Sequence, residues 1–298
     1  RQMCIRDSIY IINTCTVTNM SDRKSRQMLR RVKELNSKSI VVACGCYAQV
    51  AKKELEKIKE IDLILGNNEK GEIVEHVEDY IKNHEKINIE DVMQQREFVD
   101  FGNVTYTEKT RAVIKVQDGC DRFCSYCIIP YARGRVRSRK PENVLAEIRK
   151  VAEEGIKEVV ITGIHLASYG KDFEENIGLI DLLEEINKVD GIVRIRLGSL
   201  EPKIITEEFM QRLIKLEKIC HHFHLSLQSG CDNTLKRMNR KYTTSEFEEI
   251  VQRLRKYYND VILTTDIIVG FPGETEEEFN ETYEFLKEIK FYKMHIFK

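Results

Sequence analysis

The chain has 298 residues with a formal net charge of −1, and 33% of them are charged against 42% hydrophobic. That composition excludes a disordered, collagen-like or membrane-spanning protein and leaves room for one large domain or two ordinary ones. The near-zero balance hides clustered basic residues, so net charge says nothing about partners. The nine cysteines are an odd number, and five of them (Cys15, Cys46, Cys120, Cys124, Cys127) follow strand-like runs. This fits metal ligation in a reducing cytoplasm better than a disulfide framework. With no apolar run of membrane-spanning length and no signal-peptide pattern, we expect a cytoplasmic protein with no membrane partner.

In chain order, residues 1–8 fit nothing that follows and are expected to be a sequencing scar, so Cys4 is set aside. A first domain is expected over 9–95. Its strands are expected at 9–12, 40–44 and 61–65, and its helices at 21–35, 50–59 and 69–83, with Ser21 as an N-cap. The alternation implies a parallel, Rossmann- or flavodoxin-like α/β sheet that collects ligands beyond the carboxyl ends of its strands. Cys15 and Cys46 fall there, either as small packed residues or as ligands. Arg23, Arg26 and Arg30 share one face of the first helix, as a solvated basic stripe or as an RNA-phosphate contact.

Residues 96–110 read as a linker, and a second domain is expected over 111–298. Strands are expected at 112–116, 158–162, 193–198, 222–227, 261–268 and 294–297. Helices are expected at 142–154, 179–188, 207–216, 245–257 and 276–289. Six such units suggest a partial (β/α)6 barrel with its chemistry at the carboxyl ends of the strands. The final strand has no closing turn, so the chain is expected to be a fragment.

After the first of these strands come Cys120, Cys124 and Cys127, spaced C-x3-C-x2-C. Three thiolates on so short a loop cannot all pair as disulfides. A structural zinc site asks for four ligands, and no second C-x2-C pair follows. Three cysteines suit a cubane iron–sulfur cluster with one iron open to a non-protein ligand; a zinc knuckle completed by a distant His, or loosely buried thiols, are the alternatives. Next stand Arg133, Arg135, Arg137 and Arg139 at every second position, a comb of cations on one side if the segment is extended. That suits RNA phosphates, or else is a plain exposed strand. Lys236, Arg237, Arg240 and Lys241 form a weaker basic patch, and His221, His222 and His224 read as surface or core residues rather than ligands.

The cysteine spacing, with Tyr126 before the third cysteine, resembles the radical S-adenosylmethionine (SAM) superfamily. The resemblance implies a 4Fe-4S cluster on Cys120, Cys124 and Cys127 whose open iron chelates SAM. The polar turns at the strand ends put Ser199, Glu201 and Gln228 around that cofactor, and the resemblance adds Tyr126, the Thr162-Gly163 turn, Ile268 and Gly270. Asn13-Thr14-Cys15-Thr16-Val17-Thr18 and Gly45-Cys46-Tyr47-Ala48-Gln49 resemble the N-terminal domain of the methylthiotransferase family, which holds a second 4Fe-4S cluster on three cysteines. Cys15 and Cys46 match the second and third of these. The first belongs to an upstream Gly-Cys segment not found here, so the auxiliary cluster is expected to be incomplete. The stretches 127–134, 197–199 and 238–243 look most like the branch acting on threonylcarbamoyladenosine in tRNA. Members of the family end in an RNA-binding β-barrel, which is expected to be missing. The implied partners are tRNA, an electron donor such as flavodoxin or ferredoxin, and a sulfur donor. The alternatives are a sister enzyme acting on isopentenyladenosine or a ribosomal protein, or a non-enzymatic iron–sulfur or RNA-binding module.

Overall fold

Short apolar runs alternating with amphipathic helices form parallel sheets in two separate units. The computed structural model of the chain describes residues 8–84, 89–100, 102 and 110–298. One unit comprises Arg1–Phe101 with Ile128–Arg135, and the other Gly102–Cys127 with Val136–Lys298. The expected scar, apart from Ser8, and the expected linker at 101 and 103–109 lie outside the described residues.

The first unit runs β1 (Ile9–Thr14), α1 (Asn19–Leu35), β2 (Ile40–Gly45), α2 (Cys46–Val50), α3 (Lys52–Leu55), β3 (Leu63–Leu65) and, after a 3-10 turn at Glu69–Glu72, α4 (Ile73–Asn83). The strands lie parallel in the order β1-β2-β3. Alternation along β2 sends Val41 and Ala43 to one side with Leu29, Val32 and Tyr47, and Val42 to the other with Leu63, Leu65 and Val77. Both faces are thereby covered, as a parallel sheet requires. Helix α1 starts earlier than expected because Thr18, not Ser21, is the N-cap, its hydroxyl accepting from the Ser21 amide at 3.2 Å. The helix expected over 50–59 is broken at Ala51, where φ is −118°.

The second unit begins with β4 (Arg111–Asp118). The next helix, α5 (Ile129–Arg133), belongs to the first unit. The second unit then continues through β5 (Arg137–Ser138), α6 (Pro141–Glu153), β6 (Glu158–Gly163), α7 (Leu179–Asn187), β7 (Arg194–Leu197), β8 (Ser199–Leu200) and α8 (Glu207–Leu213). It ends with β9 (His222–Leu225), α9 (Asp232–Arg237), α10 (Thr244–Tyr257), β10 (Ile262–Ile268), α11 (Glu276–Ile289) and β11 (Lys293–Phe297). The expected third barrel strand is interrupted at Gly198: β7 pairs with β6 while β8 pairs with β9. The succession β4-β6-β7/β8-β9-β10-β11 is parallel throughout and forms the partial (β/α)6 barrel. Ile114, Ile161, Ile195, Phe223 and Ile267 pack outward on Ile148, Leu183, Met210 and Leu254 of the helices. The alternate positions, among them Thr162, Arg196, His222, His224 and Asp266, occupy the opposite, inner face and are half-buried. No helix among the described residues is long and apolar enough to cross a membrane.

The cation comb expected at 133–139 is not formed. Arg133 ends a helix, Gly134 turns the chain at φ +74°, and β5 pairs antiparallel with β4, drawing Arg137 and Arg139 inward to 3% and 5% exposure. Arg137 lies 3.8 Å from Asp118, and Arg139 is ion-paired with buried Glu147. Neither is placed to meet an RNA backbone. Arg139→Met would strand the Glu147 carboxylate in the core, and we expect a loss of about 3–5 kcal/mol in urea unfolding, most of it restored by adding Glu147→Leu. A double variant no more stable than the single one would show that the pair contributes more than mutual neutralisation.

Candidate active site

The end of β4 is fixed by Gln117, which is fully buried. Its amide nitrogen donates to the Asp118 and Gly119 carbonyls at 2.6 and 2.7 Å, and its oxygen accepts from the His165 amide at 2.7 Å. The cysteine loop starts from this anchor. Its middle is held by the turn after α9: Ser125 bonds the Arg237 and Met238 carbonyls, and Asn239, itself left-handed at φ +59°, donates to the Phe123 carbonyl at 2.9 Å. Arg240 then reaches under the loop. One terminal nitrogen lies 3.4 Å from the Cys124 sulfur, the other bonds the Ser226 carbonyl at 3.0 Å, and Nε bonds the Tyr242 hydroxyl at 3.1 Å. So Arg240 supports the cysteine loop, whereas the sequence showed it only as part of a weaker basic patch.

The Arg122 amide faces the Cys120 sulfur at 3.5 Å. Burial pushes the Cys120 thiol up to about 11; the Arg122 amide opposes this, and the neighbouring Cys124 and Cys127 add to it. Three electrostatically coupled thiols beside a guanidinium and a backbone amide make a donor set suited to an anionic iron–sulfur cluster. Among the described residues, no three His, Cys, Asp or Glu side chains close around a single ion. A cubane asks for less convergence, because each thiolate takes its own iron. In the iron-free chain at pH 8, three units below that value, roughly one Cys120 in a thousand is thiolate. We therefore expect its alkylation by iodoacetamide, followed by peptide mass spectrometry, to run about two orders of magnitude slower than that of an unperturbed cysteine. The rate should rise about tenfold per pH unit until near 11.

The other residues expected around the cofactor occupy the carboxyl ends of successive strands. Thr162 and Gly163 end β6, and a Cβ on Gly163 would come 3.0 Å from the Gln117 Cβ. Ser199 is exposed at the start of β8. Gln228 has φ +73° and bridges to β10, its amide donating to the Asp266 carbonyl at 2.8 Å. Ile268 ends β10, and Gly270 turns just beyond it at φ +68°. Tyr126 is 37% exposed beside Cys124. Glu201 has a different engagement: it is 6% exposed and its carboxylate meets Arg122 at 2.6 Å and His165 at 2.5 Å. Burial would raise its pKa, but the His165 bond, then the His165 and Arg122 charges, holds it below the usual carboxylate range. Sequence reasoning missed Gln117, Arg122 and His165, and noted Asn239 and Arg240 only within the 238–243 stretch and a basic patch, for all five act through contacts that no local pattern announces.

In the first unit, Gly45 turns at φ +101°, and a Cβ there would lie 2.5 Å from the Thr14 carbonyl. The turn sets Cys46 at the start of α2, 9% exposed, with Arg133 Nε at 3.1 Å and the Asn67 amide at 3.7 Å from its sulfur. Cys15 is exposed in the loop after β1. Cys44 is buried with Val42, Leu63 and Leu65, and burial raises its pKa, so it is a core side chain. Arg26 leaves the stripe expected with Arg23 and Arg30, for it bonds the Tyr47 hydroxyl at 2.5 Å, while those two are exposed. Gly134 underlies the placing of Arg133. Its missing Cβ would sit 2.1 Å from the Val92 carbonyl, so Gly134→Ala is expected to cost about 1–3 kcal/mol in denaturant unfolding. An unfolding midpoint unchanged from wild type would contradict that close approach.

The Radical SAM superfamily profile matches residues 114–286, and Uncharacterized protein family UPF0004 matches residues 6–66. The second unit is thus the scaffold of a radical SAM enzyme, which carries a 4Fe-4S cluster and SAM. The chain is 46% identical over 290 residues to the threonylcarbamoyladenosine tRNA methylthiotransferase MtaB of Aquifex aeolicus (97% of this chain, 70% of the relative). It is 42% identical to that of Bacillus subtilis (97% and 64%), and 37% identical to the tRNA-2-methylthio-N(6)-dimethylallyladenosine synthase of Clostridium tetani (95% and 64%). The chain belongs to the tRNA methylthiotransferase family of radical SAM enzymes, and spans 64% to 70% of the length of the first two relatives. In fold it resembles the radical SAM methyltransferase TsrM from Kitasatospora setae, with a TM-score of 0.68 at 16% identity over 97% of this chain and 61% of that one. The cobalamin-dependent radical SAM enzyme OxsB gives 0.65 at 12% identity over 94% and 43%.

Proposed function

We propose that the protein is a cytoplasmic tRNA methylthiotransferase that adds a methylthio group to C2 of threonylcarbamoyladenosine next to the anticodon. The observation that carries this reading is the Cys120/Cys124/Cys127 loop, secured by Gln117 at its start and by Asn239 and Arg240 beneath it. These cysteines hold the 4Fe-4S cluster, which when bound supplies the electron that splits SAM into methionine and a 5′-deoxyadenosyl radical. The chain's own part is positional. Arg240 neutralises charge at Cys124, while the strand ends at Thr162, Gly163, Ser199, Gln228, Ile268 and Gly270 form the rim around SAM. Cys15 and Cys46 are two ligands of an auxiliary cluster, with Arg133 and Asn67 beside the Cys46 sulfur. The reaction draws on an electron donor such as flavodoxin or ferredoxin and on a sulfur donor, and the base must leave its stack to reach the site. Exposed Arg23 and Arg30 are candidates for tRNA phosphate contact.

The test is anaerobic reconstitution of the complete protein with iron, sulfide, SAM and dithionite. 5′-Deoxyadenosine release, together with 2-methylthio-threonylcarbamoyladenosine in supplied tRNA, supports the reading. A well-loaded cluster that releases no 5′-deoxyadenosine overturns it, and a methylthio group found only on another base overturns the substrate.

A further inference from the structure

The inner face of the barrel carries a set of side chains to which the proposed function gives no role. Its outward neighbours are the apolar core, but at mid-height the inward positions are Arg196 on β7, His222 and His224 on β9, and Thr264 and Asp266 on β10. Val160 stands level with Arg196 on the neighbouring strand. The two histidines both bond the Thr264 hydroxyl, at 3.1 and 2.9 Å, and His224 also meets the Asp266 carboxylate at 3.0 Å. Below them Arg111, Arg194 and Arg196 converge on the single carboxylate of Glu158, at 3.9, 3.3 and 3.0 Å, so positive charge is in excess. Arg196 spends only Nε on Glu158. Its two terminal nitrogens have no hydrogen-bond partner among the described residues, although the side chain is only 30% exposed. Burial, then the charges of Arg196 and His224, pull the His222 pKa below its usual value, so His222 lies within electrostatic reach of each of them.

A half-buried guanidinium with two unspent donors, flanked by imidazoles, is a fork for a planar anion. The two substrate bases named for the relatives differ in this respect: dimethylallyl is uncharged and apolar, whereas threonylcarbamoyl ends in a carboxylate and a hydroxyl. Resting on the proposed function, we propose that Arg196, assisted by His222 and His224, binds the carboxylate of the threonylcarbamoyl substituent and so selects that base over dimethylallyladenosine. A site built to pair a charged group discriminates against an analogue without it, because the half-buried fork is then partly desolvated with no anion to pair.

The experiment measures equilibrium binding of the complete protein to anticodon stem–loop RNAs carrying threonylcarbamoyladenosine, its carboxamide analogue or dimethylallyladenosine. Nucleoside analysis after anaerobic turnover runs in parallel. We expect wild type to bind the carboxylate RNA about tenfold more tightly than the carboxamide. Arg196→Gln should lose that margin on the carboxylate RNA alone, and Arg196→Lys should keep part of it. Unchanged affinity of Arg196→Gln for the carboxamide RNA shows that the variant is folded, so a loss on both RNAs alike, or on neither, overturns the site. The underlying reading fails in a different way, if active wild-type enzyme leaves the threonylcarbamoyl base unmodified and methylthiolates the dimethylallyl base.

Discussion

Replacing Cys124 with alanine is expected to abolish 5′-deoxyadenosine formation while leaving the fold intact. The loop is positioned by backbone and amide groups, Ser125 on the Arg237 and Met238 carbonyls and Asn239 on the Phe123 carbonyl, and none of these uses the thiol. The sulfur is approached at 3.4 Å by Arg240, which keeps its bonds to Ser226 and Tyr242 when the thiol is removed. Loss of an outer partner of a metal ligand costs 10–100-fold, so loss of the ligand itself should reduce SAM cleavage by more than about a hundredfold. The measurement is chromatographic quantitation of 5′-deoxyadenosine from anaerobically reconstituted protein, with circular dichroism as the check on folding. Cleavage at the wild-type rate by a folded Cys124→Ala variant would remove this cysteine from the cluster.

The second large effect separates the two sulfur sites. In the complete protein, Cys46→Ala is expected to retain SAM cleavage within about twofold and to lose methylthiolation altogether. Cys46 and its neighbours Arg133 and Asn67 belong to the first unit, while the loop at Cys120, Cys124 and Cys127 and its supports Gln117, Asn239 and Arg240 belong to the second. The substitution removes one small buried atom group and leaves the Gly45 turn and the Thr14 bonds in place, so stability should fall by no more than about 1–2 kcal/mol. Nucleoside mass spectrometry of modified tRNA reads the product, and 5′-deoxyadenosine in the same reaction reads the cleavage. Methylthiolation that persists in this variant would dismiss Cys46 as an auxiliary ligand.

The strands were legible because each is a short apolar or β-branched run, and the structure places all nine expected strands within two residues of their expected ends. The helix expected over 50–59 was not, since its apolar spacing continues through Ala51, where the backbone turns away to let α2 pack on the sheet. The arginines at 133–139 show a harder limit. Alternate cations describe an exposed comb and a buried ion-paired strand equally well, and the choice rests on Asp118 and Glu147, which come from other elements. Histidines 222 and 224 likewise read as bland until β10 set Thr264 and Asp266 opposite them.

By itself the sequence determined the chemistry that the chain carries: three closely spaced thiols after a strand, two more at a second sheet edge, and the periodicity that builds parallel sheets. Those properties reside in neighbouring residues and survive without a fold. Tertiary structure alone decided which charges are spent and which remain. Arg240 meets Cys124 across 116 residues and Glu201 meets His165 across 36, whereas the terminal nitrogens of Arg196 find no hydrogen-bond partner among the described residues. The physical reason is that a charge is neutralised by what lies within a few ångströms in space, and sequence separation carries no information about that distance.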